Sequence, residues 1–264
     1  MAVARTEPRL EVWRTAVEAY ALTFANLGYL LRISWAWVVL MIPVSLGCYA
    51  SIFWLGWDKL LFPEVLLSTF LFLPFLASIA VAWHRRLLVN DVWSGRVYMR
   101  LDGLVASYFG LAVVISILFP GGLMIAVSLG VQPGWQGLLL LTVVLATGVG
   151  LFLSTKIWLA LPARALGNSE ITVRQAWRGS RRNVWRLIAG SFLCGVPVFV
   201  LIVLTAIFGP DLAEAGQPLV YAAWQTLFEI GITFLAGMPI VSFLSLAYRR
   251  LIQDREPADL FRSA

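Results

Sequence analysis

A chain of 264 residues that is 60% hydrophobic and only 13% charged, with a mean hydropathy of +0.85, cannot wrap its apolar residues in a wet surface. Lipid is its main solvent, and a soluble globular domain is excluded. The net charge of +6 raises nucleic acid as a partner, but the basic residues gather at the ends of apolar stretches instead of over a water-facing surface, which excludes it.

A hydrocarbon core of about 30 Å takes roughly 20 apolar residues per helix. Runs such as GLLLLTVVLATGVGLFL are apolar on every face and do not alternate, so an outer-membrane barrel does not fit. The sequence predicts an all-α membrane protein, a single integral domain over residues 1–264. Its six transmembrane helices fall at about 33–57, 64–84, 104–128, 137–161, 186–208 and 226–248.

Ahead of the first span, Leu10, Trp13, Val17, Tyr20, Phe24, Leu27 and Leu31 recur three and four residues apart, with Glu11, Arg14 and Glu18 on the other side. This spacing predicts an amphipathic helix within 1–32 that lies in the inner interface and turns into the first span. A coiled coil fits less well, because the stripe is short and becomes apolar all round. No cleavable signal peptide is expected, since the first long apolar run starts after about thirty residues of mixed polarity. The stretch SLGC ending at Cys48 has Ser45 where a lipoprotein site wants an aliphatic residue, and it stands too deep in the chain. Cys48 and Cys194 fall in different predicted spans at different depths, so no disulfide framework is implied.

Between spans, the connections WDKLLFPE, GVQPGWQ and FGPDLAEAGQP carry one lysine and four acids, whereas the connections after spans 2 and 4 and the tail 249–264 are rich in arginine. Lys/Arg-rich short loops stay cytoplasmic, so both termini are predicted inside. Trp35, Trp37, Trp83, Trp158 and Trp185 mark inner ends of spans, and Trp54, Trp57 and Trp135 mark outer ends, as rings at headgroup level do.

The stretch TVRQAWRGSRRNVWRL, residues 172–187, holds five arginines and two tryptophans between two apolar runs. Thr172 and Gln175 have the spacing of a capping box. On the helix they would open, Arg174, Arg178, Arg181 and Arg182 share one face while Val173, Ala176 and Val184 project from the other. A second interfacial helix, before span 5, is the prediction. EAYALTFANLGYLL before span 1 can be laid on QAWRGSRRNVWRLI, and AWHRRLL closing span 2 on AYRRLI closing span 6, which suggests a parallel duplication.

With IAVAWHRRLL, LALPARALGNSEITVRQAWRGSRRNVWRL and LSLAYRRL assembled, nearly the whole chain resembles a group of uncharacterised polytopic inner-membrane proteins common in alphaproteobacteria. More distantly it is similar to the six-helix membrane domains found beside glycerophosphodiester phosphodiesterases, where the chemistry belongs to a separate soluble domain. The resemblance implies a bacterial inner membrane and this threading, and no activity.

Candidate chemistry concentrates at the cytoplasmic ends. Guanidinium groups make forked hydrogen bonds to phosphate, so Arg174, Arg178, Arg181, Arg182, Arg85, Arg86, Arg249 and Arg250 form a collar suited to anionic lipid headgroups. Within the spans, Glu229 is expected near the outer headgroups and Lys156 to snorkel to water from near the inner end. His84, the only histidine, excludes a histidine-rich zinc site and follows Trp83 at an interface where it needs no special role. No cofactor is implied, Ser154 and Lys156 have the wrong spacing for an S-x-x-K nucleophile, and no P-loop, G-x-S-x-G or H-E-x-x-H occurs.

The favoured reading is a non-catalytic inner-membrane protein whose arginine collar engages anionic lipid or a membrane-protein partner for assembly or envelope organisation. A competing one is a small-solute or lipid transporter using Pro43, Pro74, Pro120, Pro197 and Pro239 as helix breaks together with Glu229. An enzyme acting on lipid headgroups is the third, and would need polar groups clustered around His84.

Overall fold

A computed structural model describes residues 9–54, 61–118, 136–168, 171, 173–208, 218–232, 234 and 237–254, and no strand occurs among them. The helices are α1 (Val12–Ala25), α2 (Leu27–Trp54), α3 (Leu61–Val89), α4 (Gly103–Leu118), α5 (Gln136–Trp158), α6 (Ala160–Ala165), α7 (Val173–Ser180), α8 (Val184–Phe208), α9 (Pro218–Ile232) and α10 (Met238–Tyr248). The last runs into a π-helical turn, Arg249–Gln253. Three stretches are long and apolar enough to cross a membrane: Leu27–Gly47, Leu71–Val89 and Val144–Ala165. Shorter apolar helices, Gly103–Leu118 and Val184–Pro197, accompany them.

α1 packs against other helices along one side. Much of its apolar stripe faces outward, with Trp13, Val17 and Phe24 each at least half exposed, while Leu10 is buried and Tyr20 turns inward. The opposite seam of Thr15, Ala16, Ala19 and Thr23 is buried instead. Between helices this apolar, small residues that let backbones approach decide the contact. That seam packs α1 against α10 and α8. Tyr20 donates its hydroxyl to the Cys194 carbonyl at 2.6 Å, and Thr23 shares a hydrogen bond of 2.8 Å with Ser242. Arg250, from the π-helical turn, reaches back to Thr15 and Glu18, so α1 runs antiparallel to α10 as a member of the bundle.

α2 and α3 pair antiparallel, as Tyr29 stacks on Trp83 and Trp37 meets Phe75 at a tilt of 41°. Trp37 and Trp83, expected in the headgroup belt, are thereby buried at 2% and 0% exposure. The indole of Trp83 donates to Ser242 at 2.7 Å, a bond of about 1 kcal/mol net that satisfies its one polar atom. Trp35 and Trp185 do lie outside, both exposed.

The final predicted span, 226–248, falls on two helices with different neighbours. α9 packs on α2, where Thr226 meets Ser45 at 2.8 Å, whereas α10 packs on α1, α3 and α8. Pro239 stands in the first turn of α10, where its missing N–H costs nothing. Pro43, Pro74 and Pro197 lie inside continuous helices, and Pro120 is outside the described residues. The suggested duplication does not appear as equivalent packing, since α7 rests on α5 and the π-helical turn while α1 rests on α10 and α8.

The connection 90–102 folds back along α3 instead of hanging free. Ser78 donates to the Arg100 carbonyl at 2.8 Å, and the Tyr98 hydroxyl donates to the Ser78 carbonyl at 3.2 Å. Burial pushes the Tyr98 phenol up to about 12, so it stays a neutral donor. Asp102 then caps α4, accepting from the amides of Leu104 at 3.1 Å and Val105 at 3.2 Å while pairing with Arg100 at 2.5 Å. Burial raises the Asp102 pKa, but the Arg100 hydrogen bond, the two amides and the Arg100 charge outweigh it and hold the carboxyl below its ordinary value.

A depressed folded-state pKa contributes stability above the unfolded-state value and loses it as pH falls through the folded one. Asp102→Ala is therefore expected to lower stability by about 1 kcal/mol at neutral pH, with the deficit shrinking below the ordinary carboxylate range. Thermal unfolding of the detergent-solubilised protein across pH checks this, and a deficit that grew on acidification would contradict it.

Candidate lipid-headgroup interface

The end of α6 sets the geometry of the corner that follows. Gly167 adopts φ +72°, a left-handed conformation that glycine reaches without strain. With it the amides of Gly167 and Asn168 bond back to the carbonyls of Arg164 at 3.0 Å and Ala163 at 3.1 Å, the double closure that stops a helix and turns the chain. Thr172, the expected cap of α7, lies outside the described residues.

α7 buries Ala176, Gly179 and Ser180 against the protein. A β-carbon on Gly179 would sit 3.4 Å from Ile252 of the π-helical turn, so this face is already in close contact. The helix stops after Ser180, whose carbonyl accepts from the Asn183 amide at 2.8 Å, and α8 starts at Val184. The chain before α1 is pinned to this corner. The Leu10 amide donates to Asn183 Oδ1 at 3.0 Å, and Arg186 Nη1 donates to the Leu10 carbonyl at 2.9 Å. Neither Asn183 nor Arg186 is a site residue by sequence, where Asn183 only aligns with Asn26 in the suggested duplication. Their partner is a backbone group more than 170 positions away, which no local pattern reveals.

The eight arginines of the predicted collar divide into two sets. Arg85 pairs with Asp91 at 2.7 Å, and Arg86 bonds Asn90 and Asn26 and lies over the Tyr29 ring. Arg249 donates to the Leu87 carbonyl, and Arg250 holds Thr15 and Glu18. Arg86, Arg249 and Arg250 join elements of the bundle to each other, and Arg85 ties the end of α3 to the connection that follows it. Arg174, Arg178, Arg181 and Arg182 are all exposed on α7 and the turn after it. The side chains of the first three make no hydrogen bond or ion pair with another described residue, while Arg182 does have a partner.

Lys156 does not snorkel to open water. It is only 8% exposed, with Nζ 5.2 Å from the centre of the Phe152 ring and 4.8 Å from that of Trp177. α7 closes over it, because the Ser180 hydroxyl lies 3.2 Å from the Lys156 carbonyl. Two cation–π contacts contribute about 0.5–2 kcal/mol each, less than the several kcal/mol that withdrawing an ammonium from water costs. Phe152 also meets Trp185 at 6.2 Å, so both tryptophans of the 172–187 stretch reach this corner, Trp177 at the lysine and Trp185 at Phe152. The four-residue spacing of Phe152 and Lys156 is visible in the sequence, but the arrival of Trp177 is not. For Glu229 the helix is described and the side chain is not.

His84 is fully buried and does not lie at an interface. Nδ1 lies 2.7 Å from Ser245 Oγ and Nε2 lies 3.4 Å from the Tyr108 hydroxyl, while Ser245 donates to the Val241 carbonyl at 2.9 Å. With the serine proton committed to that carbonyl, Nδ1–H donates to Ser245 and Nε2 accepts from Tyr108. Every group is satisfied in a neutral chain, and the serine is not activated as a nucleophile. A shallow hollow lies on the side of α3 facing the 90–102 connection, lined by Tyr29, Arg85, Asp91, Trp93 and Arg100 among others. No cluster of three or more metal-ligating side chains occurs among the described residues. Comparison with protein-family models, curated proteins and solved structures finds no match for this chain.

Proposed function

We propose that this chain is a non-catalytic multi-pass protein of a bacterial inner membrane, crossing it six times with both termini cytoplasmic. Its exposed arginines hold anionic headgroups of the inner leaflet and so serve membrane assembly or envelope organisation. One observation carries the reading: the side chains of Arg86, Arg249 and Arg250 are engaged between elements of the bundle and Arg85 pairs with Asp91, while those of Arg174, Arg178 and Arg181 stand exposed and, among the described residues, unpaired on α7 and the turn after it. A solvated arginine face on a soluble protein would need no further partner. Here the same surface carries large exposed apolar side chains, including Trp185 and Phe192, that only lipid or another membrane protein can cover.

Each cation near an anionic leaflet contributes about 1 kcal/mol. Replacing Arg174, Arg178, Arg181 and Arg182 together by glutamine is therefore expected to strip most co-purifying anionic lipid, with the zwitterionic fraction retained. The lipid extracted from wild type and variant, quantified by headgroup class, gives the answer. Equal anionic lipid in both would remove the proposed function.

A further inference from the structure

Resting on that reading, the geometry points to a discrete anionic-phospholipid site at the corner of α5, α7 and the start of α8. In it the Lys156 ammonium and the neighbouring guanidinium groups take the phosphate, and the outer faces of α5 and α8 take the acyl chains.

Lys156 carries the inference. The residue is more than nine-tenths buried, yet its ammonium makes no hydrogen bond or ion pair with a described residue and lies against the faces of Phe152 and Trp177. Ring faces do not accept the ammonium's protons as an oxygen does, and no carboxylate pairs with it among the described residues. A cation enclosed in this way is short of an anion. Arg178 follows directly on Trp177, and Arg181 directly on Ser180, whose hydroxyl lies 3.2 Å from the Lys156 carbonyl. The charge that would complete the corner is thus a group with several acceptor oxygens, which a phosphate supplies and a lone carboxylate does not.

The occupant is a lipid and not free phosphate because of what rises from the corner. Leu145, Val149, Phe152 and Lys156 follow one another at four, three and four residues, which puts them on one face of α5. Leu145 and Val149 are more than half exposed, and so are Trp185 and Phe192 on the adjoining face of α8. The ring contact between Phe152 and Trp185 joins the two faces into one apolar track that ends at the buried ammonium. Cationic head site and apolar track together match a phospholipid with its phosphate at the inner leaflet.

The test is titration of the full-length protein in detergent with phosphatidylglycerol and, separately, phosphatidylcholine, read by native mass spectrometry. Wild type should show a saturable component preferring phosphatidylglycerol, weakened about tenfold by Lys156→Met, which keeps the stem packed on both rings, and largely kept by Lys156→Arg. If Lys156→Met binds phosphatidylglycerol as tightly as wild type while the four-arginine variant loses it, the discrete site is overturned and the collar function stands. If neither change alters binding, both fall. Displacement by millimolar inorganic phosphate as effective as by the lipid would overturn the lipid occupant. Should Lys156→Met fail to fold, wild type can be photolabelled with a phosphatidylglycerol carrying a diazirine near its headgroup. Label confined to peptides around Lys156 and Trp177 supports the site, and label spread evenly over the helices overturns it.

Discussion

Gly190→Ala should destabilise the protein, although alanine is the better helix former by about 1 kcal/mol. A β-carbon at this position in α8 would lie 2.0 Å from Cζ and 2.3 Å from Cε2 of Phe243, far inside any real contact distance. Phe243 is itself fully buried in α10 and has no open direction in which to swing. Overpacking of this kind costs about 1–3 kcal/mol even after neighbours adjust, and a leucine at the same place should leave little folded protein. Gly195, five residues on in the same helix, has nothing within 4 Å of its hypothetical β-carbon, so Gly195→Ala should be neutral or stabilising. Thermal unfolding of both variants in one detergent separates the local clash from a general effect of alanine. Adding Phe243→Leu to Gly190→Ala should recover part of the loss. A Gly190→Ala protein as stable as wild type would mean that α8 and α10 do not approach as described.

His84→Ala is expected to cost more. Removing a fully buried side chain leaves a cavity, for which large-to-small core changes lose about 2–5 kcal/mol. The Tyr108 hydroxyl also loses its partner, a further penalty of about 1–3 kcal/mol for a buried polar group left unmade. Ser245 keeps its bond to the Val241 carbonyl and suffers less. The pair His84→Leu with Tyr108→Phe replaces both polar groups by apolar ones and should be markedly more stable than His84→Leu alone. A double-mutant cycle by thermal unfolding measures that coupling. Strict additivity would show that the two side chains do not act together, and an unaltered stability of His84→Ala would return the histidine to the interface.

The sites differ in how far they could be read ahead of the structure. That Arg174 and Arg178 share an exposed helix face follows from helical spacing alone, because periodicity is a local property, whereas Arg181 and Arg182 are exposed on the turn where that helix has already stopped. That Arg250 turns inward to Glu18 and Thr15, while Arg178 makes no such bond, is not visible in sequence. Both belong to basic, membrane-end motifs of the same composition. They differ only in whether another helix happens to arrive, and α1 arrives at one and not the other. Trp83 and Trp185 make the same contrast, since one finds Ser242 as a buried partner and the other stays on the surface.

What the sequence determined by itself is the apolar character of the chain and its helical secondary structure. The transfer of an apolar run out of water, and the need to satisfy every backbone group inside it, are sums over neighbouring residues that make helices in lipid the only economical outcome. The tertiary structure decided which face of each helix meets protein. For α1 it chose the seam of Thr15, Ala16, Ala19 and Thr23 and turned the large apolar stripe outward. In a medium as apolar as the side chains themselves, close backbone approach and a few hydrogen bonds choose the neighbours. Those depend on residues more than two hundred positions apart, as Thr23 and Ser242 are.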